Sequence, residues 1–224
     1  MPIDDAVRFL ESIYGPFNAS AGVPEADVRA AERRLGICLP AALATLYRRT
    51  GAAAAVHAAH NTLVPLAKLG FADDRLVFYE ENQGVVAWGV PRARMSDEDP
   101  PVEQGQPGGG EGEWTFYPEF ASVSDFARAQ GAWNAVQGGL ACVGVWAQPD
   151  SPTRIDSGAI TSQLGPAEFM TDGMRAWLVV GGVLVDAGGG YIGLATRAAE
   201  QFEAASARLG IVIDSWDYAT IRDE

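Results

Sequence analysis

Lysine is nearly absent from this chain: Lys68 stands alone beside fifteen arginines in 224 residues. Histidine and cysteine are equally scarce, with two of each. His57 and His60 form a His-x-x-His pair, a spacing that can place two ligands on one helical face. No cysteine or third ligand lies nearby, so no metal site is expected. Cys38 and Cys142 lie far apart in sequence and are expected to be reduced and buried. No run of about eighteen apolar residues occurs, so no membrane span is expected. Met1 to Asp5 lacks a basic stretch followed by an apolar one, which predicts no signal peptide and a cytoplasmic location. There is no Gly-x-Ser-x-Gly elbow. The neighbouring acids Glu80-Glu81 and Asp97-Glu98-Asp99 sit in polar stretches, not in the perturbed surroundings that acid–base catalysis needs. No catalytic residue, cofactor or metal ligand is assigned.

What is present is acid. The formal net charge is −13, and 48% hydrophobic residues supply a proper core for one large domain or two small ones. The charge is uneven: residues 1–72 carry +1, residues 73–125 carry −9 and residues 126–224 carry −5. A concentrated acidic face repels nucleic-acid phosphates. It favours a basic protein partner, whose encounter long-range attraction would speed. Solubility alone would also account for an acidic surface.

Periodicity outlines the elements. Ile3, Ala6, Val7, Leu10, Ile13 and Tyr14 predict a helix over 3–14. Pro24 suits a first helical turn, Glu25 and Asp27 face the positive end of the dipole, and Gly36 is a stop. Pro40 opens a second helix with Leu43, Leu46 and Tyr47 on its buried stripe, and Gly51 closes it. Residues 62–69 hold a short strand. Leu76–Tyr79 and Val85–Trp88 read as strands joined by Glu80-Glu81-Asn82-Gln83-Gly84, a hairpin. Ser96 to Glu113 reads as a mobile acidic loop. Trp114–Tyr117 is a third strand, broken by Pro118, and a helix starts at Ser122 with Val123, Phe126, Trp133 and Val136 on its buried side.

The block Val23–Gly51, reading VPEADVRAAERRLGICLPAALATLYRRTG, and the block Leu76–Val90, reading LVFYEENQGVVAWGV, together resemble the SMI1/KNR4 family, also called the SUKH superfamily. The resemblance covers roughly residues 4–145. It implies an α+β fold, an antiparallel sheet with helices packed on one side. It also implies a non-enzymatic immunity protein that binds and neutralises one polymorphic toxin, in the leading form a basic nuclease whose substrate groove it blocks. The scarcity of lysine fits a bacterial source. Glu80, Glu81, Asn82, Trp88, Asp97, Glu98 and Asp99 are the expected partner contacts, although a strand tryptophan is more often core. By analogy with fungal members, a regulatory scaffold is the alternative.

Residues 146–224 are expected to form a C-terminal α+β extension, either a small β-β-α-β module or a continuation of the main sheet. Residues 148–166 read as a linker or long loop. A strand pair over Arg175–Asp186 follows, bent at Gly181-Gly182, then a short element over Tyr191–Leu194, a helix over Ala195–Leu209 and a strand over Gly210–Ile213. Gly188-Gly189-Gly190-Tyr191-Ile192-Gly193 satisfies G-x-G-x-x-G, and Asp214 stands near the position of a ribose-binding acid. A nucleotide-binding enzyme is therefore a second alternative. Against it, few residues follow Asp214, no other βαβ unit precedes the loop, and Asp186 sits beside the glycines.

Overall fold

A computed structural model describes residues 3–108, 113–147, 157–171, 173–188, 190–210 and 218–221. Its chain forms two compact units, one of Met1–Phe9 with Phe17–Gln130 and one of Leu10–Pro16 with Gly131–Glu224. Both are α+β, and every described strand pairing is antiparallel.

In the first unit the helices begin and end where backbone chemistry directs. After α1 (Ile3–Tyr14) comes α2 (Glu25–Leu35), with Pro24 as its N-cap and Glu25 and Asp27 in its first turn. Gly36 ends α2 at φ 69°, a left-handed conformation costly for any residue with a Cβ, and its N–H returns to the Glu32 carbonyl. Pro40 caps α3 (Ala41–Thr50). The Ala-rich segment around the histidines is not wholly irregular, since α4 (Ala54–His57) makes one helical turn there.

The sheet of this unit contains β1 (Thr62–Leu63), β2 (Gly70–Ala72), β3 (Arg75–Glu80), β4 (Ala87–Pro91), β5 (Val102–Pro107) and β6 (Trp114–Phe120). Its order is β1-β3-β4-β5-β6, with β2 also pairing β3. The expected hairpin is β3–β4. Its register slips between Val77 and Tyr79, which leaves Phe78 as a bulge. The bulge turns both Phe78 and Tyr79 inward, so two consecutive aromatics are buried where strict alternation would bury one.

Two expectations need correction here. The supposed loop from Ser96 to Glu113 contains β5, an inner strand between β4 and β6; residues 109–112 of that stretch lie outside the described residues. Central strands can be polar when one face is open to water, and Glu103, Gln104 and Gln106 hid this one. Pro118 does not end β6. It sits opposite Glu103 in the terminal strand, where a missing N–H is tolerated.

The first eight residues of α5 (Val123–Asn134) belong to this unit and bring Phe126 over the sheet. Its ring lies 5.0 Å from Phe78, 5.1 Å from Tyr79, 5.4 Å from Phe120 and 5.8 Å from Trp88, mostly edge to face. Around this cluster pack Val28 of α2, Leu43 and Leu46 of α3, and Leu76 and Val90 of the sheet.

The second unit has its own sheet, ordered β12-β7-β11-β10-β9-β8. The strands are β7 (Cys142–Ala147), β8 (Phe169–Met170), β9 (Arg175–Val179), β10 (Gly182–Asp186), β11 (Tyr191–Thr196) and β12 (Tyr218–Ile221). Two helices accompany them, α6 (Ser157–Leu164) and α7 (Ala199–Arg208). Trp177, Leu184, Leu194 and Phe202 are its large buried side chains. A division after residue 145 would cut β7, which pairs with β11 and β12 of this sheet. The helix expected from Ala195 begins at Ala199, because Ala195 and Thr196 still pair with β10. Ile211–Ile213 and Asp214 lie outside the described residues.

Truncating the central ring of the first unit removes its packing against four aromatics at once. Phe126→Ala should cost about 3–5 kcal/mol, the range for emptying a buried aromatic site. An unfolding free energy from urea titration within about 0.5 kcal/mol of wild type would show that the cluster is not the core.

Candidate partner-binding surface

The residues expected to meet a partner fall into two groups that leave β4 at opposite ends. Glu80, the last residue of β3, and Glu81 and Asn82 in the turn precede it; Asp97, Glu98 and Asp99 follow it. Trp88 lies within the strand itself.

Local hydrogen bonding separates structural acids from available ones. One Glu81 carboxylate oxygen, Oε2, accepts from the N–H groups of Gln83 at 2.9 Å and Val85 at 3.4 Å, so this side chain holds the turn closed. Asn82 is exposed and donates to His60 Nδ1 at 3.2 Å. Asp97 accepts from Arg94 at 2.6 Å. Asp99 Oδ1 accepts from the Ser124 N–H at 3.1 Å, at the start of α5, where a carboxylate satisfies an orphan donor and meets the positive end of the dipole. Trp88 is 5% exposed and donates through Nε1 to Glu119 at 2.6 Å. It belongs to the aromatic core. Burial pushes the Glu119 carboxyl above the usual carboxylate range, and the Trp88 bond partly offsets that.

The rest of the acidic segment follows the same rule. All three arginines of residues 73–125 are ion-paired: Arg75 with Glu103, Arg92 with Asp74, and Arg94 with Asp97. Asp73 accepts from the Trp114 N–H at 2.9 Å. Asp73 and Asp74 form the two-residue turn between β2 and β3, both at positive φ, the hairpin conformation that Asp tolerates. A two-residue Asp-Asp step between β-rich runs is the sequence signal for such a turn. Asp125 lies 3.9 Å from Arg128. Among the described residues, Glu80, Glu98 and Glu113 remain exposed with no cation beside their carboxylates. Of the seven expected contacts, Glu80, Asn82 and Glu98 are exposed; Glu81, Asp97, Asp99 and Trp88 are held by internal bonds.

His57 is buried, not a ligand. Thr50 Oγ1 donates to the Leu46 carbonyl, so its lone pair receives the His57 Nε2–H at 2.8 Å. Nδ1 is then the acceptor facing the Tyr79 hydroxyl at 3.4 Å. Burial lowers the ring from its usual 6.5 to about 3. Among the described residues no group of three His, Cys, Asp or Glu is placed to hold a metal. Cys142 is buried as expected, but Cys38 is exposed, and both are free thiols.

The glycine-rich motif has a different geometry from a dinucleotide loop. Asp186 pairs with Ile192, so Gly188 and Gly190 make the turn of an antiparallel hairpin, β10–β11; Gly189 lies outside the described residues. Asp186 itself accepts from the Gly188 N–H at 3.0 Å. No helix N-terminus follows the glycines, and that terminus is what would receive a pyrophosphate. No helix among the described residues is long and apolar enough to cross a membrane.

No family model, no curated protein and no solved structure matches this chain.

Two outcomes check this division of roles. Asp99→Ala should destabilise the protein by about 1 kcal/mol through loss of a helix cap, while Glu98→Ala should stay within about 0.5 kcal/mol. Equal effects would mean that Asp99 does not cap α5. For His57, the unfolded chain binds the proton more readily between pH 6.5 and about 3. Stability is therefore full above 6.5 and falls by up to about 1.4 kcal/mol per pH unit as pH drops through that window. His57→Gln should flatten that acid limb whatever its absolute stability, and an unchanged slope in pH-dependent denaturation would assign the limb to other groups.

Proposed function

We propose that this chain is a non-enzymatic immunity protein of the SUKH type, which binds a toxin with a basic surface and acts in the cytoplasm. The observation that carries the reading is the unneutralised acid of the first unit. Every arginine of residues 73–125 is already paired, and Glu80, Glu98 and Glu113 project without cations beside them. Such a surface attracts Lys and Arg side chains and mimics the phosphates that a basic nuclease binds. The two motif blocks, which form α2, α3 and the β3–β4 hairpin of this unit, support the same assignment. The hairpin geometry of Gly188–Gly190 lends nothing to the nucleotide-binding alternative.

The test begins with capture of partners by the tagged protein at low and high salt. One dominant basic partner, released as salt rises, is expected. Several weak partners would favour the scaffold instead. Replacing Glu80, Glu98 and Glu113 by Lys should then slow association with that partner roughly tenfold at low salt, with the difference shrinking at high salt. Because none of the three carboxylates makes an internal bond, thermal stability should hold. An association rate equal to wild type would place the interface elsewhere.

A further inference from the structure

The first unit contains a groove of about 500 Å³ along one face of α2. That size falls within the range of small-ligand sites. Asp27, Ala30, Ala31 and Arg34, at i, i+3, i+4 and i+7, form one wall, and the segment Leu63–Ala67 forms the other. The walls are tied together. Arg34 Nη2 donates to the carbonyls of Leu66 and Leu69, each at 2.9 Å, and the Tyr47 hydroxyl donates to the Val64 carbonyl at 2.6 Å. The groove is therefore held open by bonds that already satisfy the polar groups of its sides.

Its charges are unusual for this molecule. Asp27 and Arg34 are the only charged residues lining it. Neighbouring Arg29 and Arg48 both pair with Glu25, yet Asp27 has no cation beside it. Arg34 touches carbonyls alone, which leaves Nε and Nη1 free to meet a carboxylate. Seven residues of helix separate the two backbone positions by about 10 Å along the axis. Alanines between them keep that span apolar and shallow.

We propose that this groove binds short apolar peptides with free termini, the ammonium at Asp27 and the carboxylate at Arg34. Three extended residues span about 10 Å, comparable to the spacing of residues 27 and 34 along α2. A singly charged ligand would satisfy one end only. A polyanion such as nucleic acid would meet one arginine and be repelled by Asp27. The site lies on helix α2 and does not depend on the acidic face invoked for toxin binding.

The probes are the tripeptide Ala-Leu-Ala, its N-acetyl derivative and its C-terminal amide, titrated calorimetrically into the full chain. The free tripeptide should bind, and each derivative should bind roughly tenfold more weakly, as expected for losing one charge-assisted contact. Asp27→Asn, a change at an exposed position, should make the free and N-acetyl forms equivalent. Arg34→Gln should make the free and amidated forms equivalent; if that variant misfolds by circular dichroism, Arg34→Lys should retain the preference at reduced strength. Ala30→Trp, also at an exposed position, should fill the groove and abolish binding. No heat from the free tripeptide at roughly 10 mM, equal binding of all three probes, or full binding by Ala30→Trp would each overturn the proposal.

Discussion

The first unit depends on one ring. Phe126 enters from α5 and meets aromatics of β3, β4 and β6, so a single side chain joins three strands of the sheet. Edge-to-face geometry adds directional preference to the non-directional burial of apolar surface. The bulge at Phe78 follows from this demand. Without the register slip, Phe78 and Tyr79 would point to opposite faces, and one of them would be lost to the cluster. Trp88 then has its place settled from both sides, with its ring against Phe126 and Tyr79 and its Nε1–H directed to Glu119.

Around this core, polar side chains serve as connectors. Thr50, His57 and Tyr79 form a hydrogen-bonded series linking α3, α4 and β3, and burial keeps the imidazole neutral. Asp99 ties the segment after β4 to the first turn of α5, and the Glu98 carbonyl accepts from Ala42 at the start of α3. The acids of residues 73–125 are thus divided by use. Some satisfy N–H groups, some neutralise arginines, and a few remain for solvent or a partner. Net charge describes the long-range field of this segment, whereas hydrogen bonding decides which carboxylates are available at contact distance.

The same unit carries two surfaces of different chemistry. Glu80, Glu98 and Glu113 are exposed carboxylates without a cation beside them and suit a partner that brings cations. The α2 groove is apolar with one charge of each sign and fits a small ligand with both. Ions at the first act through long-range attraction that salt weakens; ions at the second act through short contacts in a recess, where screening is smaller. The two surfaces can therefore be distinguished by ionic strength alone.

Much of the backbone was legible in the residues themselves. Pro24, Gly36 and Pro40 delimit two helices because proline lacks an N–H and glycine tolerates positive φ, and both effects are local. The β3–β4 hairpin was legible from β-rich runs on either side of Glu-Glu-Asn-Gln-Gly, and the charge distribution needs only counting. β5 was not legible, because its polar residues match a loop until a neighbouring strand pairs with them. The glycine motif was misleading for a related reason: three glycines permit either a strand-to-helix turn or a hairpin, and pairing of Asp186 with Ile192 selects the hairpin. Roles of the acids were hidden most completely. Asp99 is a cap only because Ser124 comes to it, and Asp73 is a turn anchor only because Trp114 does. Sequence by itself determined the helices delimited by Pro24, Gly36 and Pro40, the β3–β4 hairpin and where charge accumulates, since those follow from local propensity and composition. Tertiary structure alone decided which carboxylates are structural and which are offered outward, since that depends on donors supplied by distant parts of the chain.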